Sequence, residues 1–291
     1  MSEPTRPVIW SEGRLLGPDE PLVTAVDHGL TVGDGVFETC GVVHGHAFAL
    51  TRHLRRLARS ARGLGLPAPD EAVVRAGVEA VLAASGPDVG RVRITVTGGP
   101  GPLGSQRFAP EQAHPTVIVL AGPAPRSPVA RVARVPWVRN ERSAVAGLKT
   151  TSYAENVVAL AEAYRHGADE ALLANTIGEL CEGTGSNVFV ERDGELLTPP
   201  LSSGCLAGIT RELLLEWSAA EGLPAREAAP GELAYAVLDD VLAGRAGLAL
   251  SGSVRNVAPV VALDGQPVEA GALSEAARKL FEERMAQDVD P

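Results

Sequence analysis

The sequence predicts an α/β protein of two domains, and three observations support this prediction. Patterns typical of strands and of helices alternate loosely along the chain, as expected of an α/β or α+β fold. The chain has 291 residues, which suits two domains at roughly 100–200 residues each. The glycine- and proline-rich residues 122–128 are the best candidate for a linker between a smaller domain, residues 1–121, and a larger one, residues 129–291.

Hydrophobic patterning predicts the elements of the smaller domain in turn. Apolar runs separated by turn residues predict strands at residues 9–16 (broken by a turn at 12–13), 32–40 (a glycine-rich run, then a strand), 42–50 (a hairpin), 91–97 and 116–121. Apolar residues at helical spacing predict amphipathic helices at residues 51–64, with Thr51 as the N-cap, and at 70–84. The glycine- and proline-rich residues 98–110 predict a loop.

The larger domain shows the same two kinds of pattern. Strands are predicted near residues 132–138 and at 170–174, 186–191 and 195–198. Helices are predicted at residues 154–165 and 210–220.

Composition and charge disfavour several classes of protein. Apolar residues make up 45% of the chain and charged residues 21%, so a disordered chain is not expected. The net charge of −10 argues against nucleic-acid binding and against a polybasic membrane anchor. Residues 1–14 show no signal-peptide pattern and no apolar run approaches a membrane span, so we expect a soluble, cytoplasmic protein. Widely spaced Cys40, Cys181 and Cys205 disfavour a disulfide framework and a zinc site, and no metal is expected.

The scarcity of lysine singles out one residue. Lysine and arginine total 26, yet only Lys149 and Lys279 are lysines. Arginine serves as well for surface charge but cannot act as an amine nucleophile, so a retained lysine suggests a need for its amine; chance is the alternative. Lys279 lies in a charged amphipathic helix. Lys149 has no carboxylate within five positions, and a partly buried lysine without an ion-pair partner has a lowered pKa and an amine available for a Schiff base.

Other candidates are weaker when each is taken alone. Residues 206–211 lead into a helix whose free N–H groups could bind phosphate, although an ordinary helix cap is the commoner explanation. Glu182 is expected to follow a strand and to precede a loop of small residues, so it could face a ligand, or it could be an exposed loop glutamate. Asp27 and His28 suggest an acid/base pair, although a structural histidine is commoner. Arg56 does not stand out among its neighbouring arginines.

These features occur together with several motifs in a fixed order. The motifs are residues 27–30 (DHGL), 33–38 (GDGVFE), 53–57 (HLRRL), Lys149 with Tyr153, 182–189 (EGTGSNVF), 208–211 (GITR) and 251–253 (SGS). Together they resemble the class IV (fold type IV) pyridoxal-phosphate aminotransferase family over nearly the whole chain. That family includes branched-chain and D-amino-acid aminotransferases, R-selective amine transaminases and 4-amino-4-deoxychorismate lyase. Each motif alone is weak evidence, whereas the ordered set is strong.

The resemblance implies a role for each matching residue. Lys149 would hold pyridoxal phosphate as a Schiff base and carry a proton during catalysis. Glu182 would pair with the pyridine nitrogen and keep it protonated, and Tyr153 would lie near the phenolic oxygen. The phosphate would be bound at five matching positions: Arg56, Gly208, Ile209, Thr210 and Ser253.

The resemblance also implies an architecture. We expect a small N-terminal α/β domain, a larger C-terminal α/β pseudo-barrel domain, and the cofactor in the cleft between them. Family members are homodimers with the active site near the interface, so a homodimer is expected here.

The substrate pocket is the least defined part of this prediction. Its candidate residues are Val32, Phe37, Thr39, Leu103, Arg107 and Gly252. The early motif and residues 149–153 look closest to the lyase and D-amino-acid branches, but both branches are expected to carry an arginine near Leu103, and Gly252 replaces an asparagine of the better-known lyases. Because a substrate carboxylate needs a bidentate partner, Arg107, Arg139 or Arg142 would supply one, or the substrate carries less charge.

The resemblance leaves three activities open. We favour a transaminase that moves an amino group between an amino acid or primary amine and a 2-oxo acid. The alternative is 4-amino-4-deoxychorismate lyase, which makes 4-aminobenzoate and pyruvate. A non-catalytic binding protein of the same fold ranks last, because Lys149 and Glu182 are both present.

Overall fold

The computed structural model describes residues 6–17 and 19–291. Contacts between residues divide the chain into two units. The first contains the described residues up to Pro125, together with Leu148–Tyr153 and Asp288–Pro291; the second contains Arg126–Gly147 and Ala154–Gln287. Each unit has its own sheet and helices, which confirms the predicted α/β class.

The first unit is built on six strands: β1 (Val8–Ser11), β2 (Arg14–Leu16), β3 (Gly35–Val43), β4 (His46–Ala47), β5 (Val89–Thr97) and β6 (Val117–Pro123). They form one antiparallel sheet in the order β2-β1-β6-β5-β3-β4. Its helices are α1 (His28–Thr31), α2 (Leu50–Leu64) and α3 (Glu71–Ala83). The strands and the two amphipathic helices predicted in this part of the chain are therefore confirmed.

Alternation along β5 gives this sheet one apolar face. Val92, Ile94 and Val96 are fully buried and belong to a core shared with apolar residues of α2 and α3. Arg93 lies on the opposite face, since successive side chains of a strand alternate. In the register between β3 and β5, Arg93 pairs with Thr39. The second face of the sheet therefore groups Arg93 with Thr39 and Phe37.

The start of α2 differs from the sequence prediction. Thr51 was expected to be the N-cap, but Ala49 occupies that position in a left-handed conformation (φ 52°) and makes no side-chain cap. Thr51 lies inside the first turn, and its N–H and hydroxyl groups both donate to the carboxylate of Asp290. The Thr51 prediction is wrong because a residue 239 positions away supplies the capping carboxylate.

Residues 148–153 join the first unit by pairing with β3. The N–H of Phe37 donates to the carbonyl of Lys149 (3.1 Å), and the N–H of Thr151 donates to the carbonyl of Gly35 (2.8 Å). The sequence-based boundary at residue 129 assigns this segment to the larger domain, whereas the contacts place it in the first unit. Strand pairing over more than a hundred residues accounts for this difference.

The second unit contains nine strands: β7 (Ala130–Arg139), β8 (Glu170–Asn175), β9 (Leu180–Gly183), β10 (Asn187–Arg192), β11 (Glu195–Thr198), β12 (Ala225–Glu227), β13 (Gly247–Gly252), β14 (Asn256–Leu263) and β15 (Gln266–Pro267). They form one sheet in the order β12-β11-β10-β13-β14-β7-β8-β9, with β15 paired to β14. The pairs β11/β12, β14/β7 and β7/β8 are parallel and the others antiparallel.

Four helices complete the second unit: α4 (Ala154–Arg165), α5 (Ile209–Glu221), α6 (Val237–Leu242) and α7 (Ala272–Gln287). The predicted strands β7, β8, β10 and β11 and the helices α4 and α5 are confirmed, and Lys279 lies in a helix as expected. Strand β9 escaped prediction because four residues containing a glutamate look like a loop. Within residues 6–17 and 19–291, no helix has the length and apolar character needed to cross a membrane.

Candidate active site

Lys149 is fixed by backbone contacts in the first unit, and its amine lies against aromatic rings. Its N–H donates to the Ser60 hydroxyl of α2 (3.2 Å), and its carbonyl is held by β3. The Nζ atom lies 3.5 Å from the Tyr153 hydroxyl and 4.3 Å from the centre of the Phe37 ring. Tyr153 packs edge-on against Phe37, with ring centres 5.1 Å apart. The amine of this half-buried lysine therefore has the Tyr153 hydroxyl as a hydrogen-bond partner and the Phe37 ring beside it.

Arg93 brings a second cation to the same aromatic ring. Its guanidinium carbon lies 3.9 Å from the centre of the Phe37 ring, and its Nε donates to the Thr95 hydroxyl (3.3 Å). Among the described residues, no carboxylate lies within ion-pair distance of Arg93. Burial lowers the pKa of Arg93 from its ordinary value, although an arginine remains protonated at neutral pH. A half-buried cation without a protein anion, near a candidate reactive amine, is suited to binding a substrate anion.

Arg56 is held in a buried cluster between β3 and α2. Glu38 has no exposed surface, and its two carboxylate oxygens accept bonds from Nε and Nη2 of Arg56, each at 2.7 Å. The same carboxylate lies 2.6 Å from Nδ1 of His53. Residues 53, 56 and 60 follow helical spacing, so one face of α2 carries His53, Arg56 and the hydroxyl that binds the lysine backbone.

The charge state of this cluster follows from its partners. Burial would raise the pKa of Glu38, but the charge and hydrogen bonds of Arg56, aided by His53, outweigh it and hold that pKa well below its usual range. Burial lowers the pKa of His53 despite the neighbouring carboxylate. At neutral pH we therefore assign a carboxylate to Glu38 and a neutral imidazole to His53 that donates its Nδ1–H to it. Glu38 fixes the direction of the Arg56 guanidinium.

In the second unit, Glu182 lies in β9 with 8% of its surface exposed, so it is neither after a strand nor an exposed loop residue. Its Oε1 accepts from Nε of Arg139 (3.1 Å), and its Oε2 accepts from the N–H of Leu206 (2.9 Å). Arg139 also donates to the side-chain oxygen of Asn156 (3.1 Å). The carboxylate is thus held in one orientation, and Arg139 is already engaged.

The start of α5 has the geometry of an anion site. Its N-cap is Gly208, which provides no side-chain cap, and within the described part of the chain the N–H groups of Ile209 and Thr210 have no acceptor. A Cβ atom on Gly208 would lie 1.9 Å from Oδ1 of Asn187, so any larger residue here would have to displace the Asn187 side chain. Free N–H groups at a helix start attract phosphate and other anions.

Two further predicted residues of the second unit, Gly252 and Ser253, lie at the end of β13 and just after it. Gly252 ends β13, where an added Cβ would contact the carbonyl of Gly185 at 3.4 Å, and Ser253 lies in the turn that follows.

The predicted pocket residues of the first unit separate into two groups. Phe37 is buried next to Lys149, and Thr39 is half-buried on the same face of β3. Val32 and Leu103 are exposed, the latter at 86%. The guanidinium of Arg107 donates to both carboxylate oxygens of Asp34 (2.7 and 2.6 Å) and to the carbonyls of Leu64 and Gly65. Its donors are therefore already used in fastening the 98–110 loop.

Asp27 and His28 have structural partners. The Asp27 carboxylate caps α1 by accepting from the N–H of Gly29 and also accepts from the hydroxyls of Thr97 and Thr116. His28 is buried, and its Nε2 donates to the carbonyl of Pro102 (2.9 Å). The structural interpretation of this pair is therefore the better one.

Two residues with clear roles in this geometry were missed from the sequence. Arg93 looks like an ordinary polar position in an alternating strand, and only its pairing opposite Thr39 places it beside Phe37. Glu38 belongs to the motif at residues 33–38, but the pattern alone assigns it no separate role. A signal existed for Glu38, since it stands between buried Phe37 and Cys40 on a strand that is otherwise apolar or neutral.

Comparison with known proteins identifies the family of the chain. The model of the family described as amino-transferase class IV matches residues 35–263. A bifunctional aminodeoxychorismate lyase / D-amino acid transaminase from Mycobacterium tuberculosis is 32% identical over 243 residues, which cover 74% of this chain and 79% of that protein.

Two solved structures resemble the chain over nearly its full length. One is a hypothetical aminotransferase from Mycobacterium tuberculosis in its PLP-bound form (30% identity, TM-score 0.82, covering 97% of this chain and 99% of the other). The other is the 4-amino-4-deoxychorismate lyase of Pseudomonas aeruginosa (30% identity, TM-score 0.79, covering 98% and 100%). They confirm the predicted fold type. The chain therefore belongs to the class IV aminotransferase family of pyridoxal-phosphate-dependent enzymes.

Proposed function

We propose that this enzyme is a transaminase that moves an amino group between an amino donor and a 2-oxo acid. The observation that carries the proposal is the Lys149 amine, fixed through its backbone and lying 3.5 Å from the Tyr153 hydroxyl. Transaminase and lyase chemistry both need this amine. The transaminase is favoured because Gly252 offers no side chain where the better-known lyases carry an asparagine.

The residues present fit pyridoxal phosphate. Among the described residues, the N–H groups of Ile209 and Thr210 at the uncapped start of α5 have no acceptor, which suits a phosphate. The family resemblance assigns Arg56 and Ser253 to phosphate binding as well. Glu182, which two donors hold in place, is assigned to the pyridine nitrogen. Lys149 is assigned to the aldehyde carbon and Tyr153 to the phenolic oxygen.

When bound, the cofactor supplies an aldehyde that condenses with amines and a ring that withdraws electrons from the substrate Cα. Side chains of the protein would transfer the proton and stabilise the charge on the cofactor ring. The Nζ atom of Lys149 would accept the proton from the substrate Cα and deliver it to the carbon of the cofactor's aldehyde group, and the Tyr153 hydroxyl would orient Nζ. The negative charge of Glu182 stabilises a protonated ring nitrogen, while Arg139 and the N–H of Leu206 keep its carboxylate aligned.

We further propose that Arg93 binds the carboxylate of the substrate. Replacing Arg93 with glutamine should raise KM for amino acids and 2-oxo acids by about 10- to 100-fold, because a hydrogen-bonded charge partner is lost. A primary amine without a carboxylate should be converted as well as by the wild type. The matched control is Arg91→Gln, an exposed arginine two positions earlier on the same face of β5. Equal loss with both variants, or equal loss for both kinds of substrate, would contradict this assignment.

The lyase is the second candidate, since a curated relative carries both activities and a structural neighbour is a lyase. Purified holoenzyme should be mixed with a panel of L-amino acids, D-amino acids and simple amines while the cofactor absorbance is followed. We expect at least one donor to convert the cofactor to its amine form. Release of 4-aminobenzoate from aminodeoxychorismate, with no donor converting the cofactor, would establish the lyase instead.

We propose a homodimer in the cytoplasm, and an apolar stripe on α4 supports the dimer. Val157, Val158 and Tyr164 are 64%, 50% and 61% exposed, while Ala159 and Ala163 on the opposite side of the helix are buried. An exposed apolar stripe of this kind is typical of protein interfaces. Val157→Glu should therefore shift the protein from dimer to monomer in analytical ultracentrifugation. Val73→Glu on α3, at a valine that is 42% exposed, should leave the mass unchanged.

A further inference from the structure

The start of α2, the helix that carries Arg56, is not capped by the side chain of its N-cap residue. Ala49 at the N-cap position is left-handed and makes no side-chain cap bond. Residues 288–291, which belong to the same unit, take over this task. Oδ1 of Asp290 accepts from the N–H of Thr51 (2.8 Å), and Oδ2 accepts from the hydroxyl of Thr51 (2.6 Å). The carbonyl of Val289 accepts from the N–H of Ala49 (2.7 Å).

The contact between residues 288–291 and the start of α2 also involves α3. The Thr51 hydroxyl that donates to Asp290 also accepts a bond from Nη2 of Arg75 on α3 (2.9 Å). Nε of Arg52 donates to the carbonyl of Pro291 (2.9 Å). Two helices and residues 288–291 thus meet at the first turn of α2. A carboxylate at this point satisfies helix N–H groups and interacts favourably with the positive end of the helix dipole.

The position of this first turn determines where Arg56 lies. Arg56 comes five residues after Thr51, about one and a half helical turns along a rigid helix. Its guanidinium is aligned by Glu38 from the sheet, so the helix and the sheet must hold the same relative position for both bonds to Arg56 to form. Fraying of the first turns of α2 would release His53 and Arg56 from Glu38.

We propose that Asp290 is a positioning residue for cofactor binding: by capping α2 it holds Arg56 in the orientation that binds the phosphate of pyridoxal phosphate. This inference rests on the proposed role of Arg56. Asp290 itself would contact neither the cofactor nor the substrate. Its effect therefore falls on affinity for the phosphate group and not on the aldehyde or ring.

The test compares two ligands that differ only by the phosphate. The full-length protein, freed of cofactor, is titrated with pyridoxal phosphate and with pyridoxal, and Kd is read from protein fluorescence. We expect Asp290→Ala to raise the Kd of pyridoxal phosphate by about 2- to 30-fold, the range that corresponds to losing a helix cap. The Kd of pyridoxal should stay unchanged. Asp290→Asn, which keeps an acceptor oxygen, should restore most of the affinity.

Asp70→Ala is the matched control. Asp70 caps α3 by accepting from the N–H groups of Ala72 and Val73, so its loss is chemically the same, but α3 carries no proposed cofactor ligand. This variant should lower the melting temperature while leaving the Kd ratio of the two ligands unchanged. If Asp290→Ala also leaves that ratio unchanged, or weakens both ligands equally, Asp290 is a purely structural cap and the inference is wrong.

Arg56→Ala separates failure of the inference from failure of the proposed function. If Arg56→Ala raises the Kd of pyridoxal phosphate but not that of pyridoxal, and neither Asp290 variant does so, the proposed phosphate role of Arg56 is supported and only the inference about Asp290 fails. If Arg56→Ala itself shows no selectivity for the phosphate, both the assignment of Arg56 and the inference are overturned. When Asp290→Ala folds too poorly to titrate, the Asp290→Asn protein is compared in the same way, with a smaller phosphate-selective loss expected.

Discussion

Replacing Lys149 with arginine should lower turnover by about a thousandfold or more, since a proton-transferring side chain contributes roughly 10²–10⁴-fold to a rate and the covalent attachment is lost as well. The substitution keeps the positive charge and nearly the same reach, so the contacts with Phe37 and Tyr153 are disturbed as little as possible. Arginine remains protonated at neutral pH and cannot serve as an amine. The chain uses arginine at almost every other basic position, which makes this a direct test of why lysine is kept here.

Lys279→Arg is the matched control for this prediction, because it replaces the one other lysine, an exposed residue of α7. Borohydride reduction of the native holoenzyme followed by peptide mapping should place the cofactor label on the peptide containing Lys149. The label should persist in Lys279→Arg and disappear in Lys149→Arg. Label on the Lys279 peptide of the wild-type protein would remove the basis of the proposed mechanism.

The features that sequence patterns predicted are those determined by nearby residues. Apolar spacing over about ten residues is enough to locate β5, α2 or α4, because each element buries one face. The scarcity of lysine is likewise a property of composition and needs no structure. Lys149 could therefore be named as a candidate from composition, whereas Glu182 became a candidate only through the ordered motifs, and the catalytic roles of both stay predictions.

The features that patterns missed depend on residues far apart in sequence. Arg107 was a candidate substrate ligand until the structure placed Asp34, 73 positions earlier, on its guanidinium. Thr51 was expected to cap α2, yet Asp290 does so from 239 positions away. Arg93 becomes a candidate ligand only once β3 and β5 are paired in register. Local propensity carries no information on such partners, whereas strand register and chain topology do.

Glu38→Gln should destabilise the protein by about 3–5 kcal/mol near pH 7, the usual effect of removing one partner of a buried ion pair. The amide keeps the shape of the side chain but leaves the buried Arg56 cation without its counter-charge. Guanidinium unfolding followed by tryptophan fluorescence measures the change. Glu71→Gln, which removes a largely exposed carboxylate paired with Arg75 on α3, is the control and should change stability by less than about 1 kcal/mol.

The pH dependence of the same variant tests the assigned charge states. The pKa of Glu38 is lower in the folded protein than its ordinary value of 4.5, so its contribution is complete above that pH and is lost as the pH falls toward the folded pKa. Burial also lowers the pKa of His53 from 6.5, and the Glu38 carboxylate opposes that shift, so acid favours the unfolded chain through His53 in the wild type and more strongly in the variant. The Glu38 contribution itself is lost only below its ordinary pKa, so the difference in stability between wild type and Glu38→Gln should be larger above pH 4.5 than below about pH 4. A difference that stays constant through this range would mean that Glu38 is not the charged partner of Arg56, and that packing alone accounts for its burial.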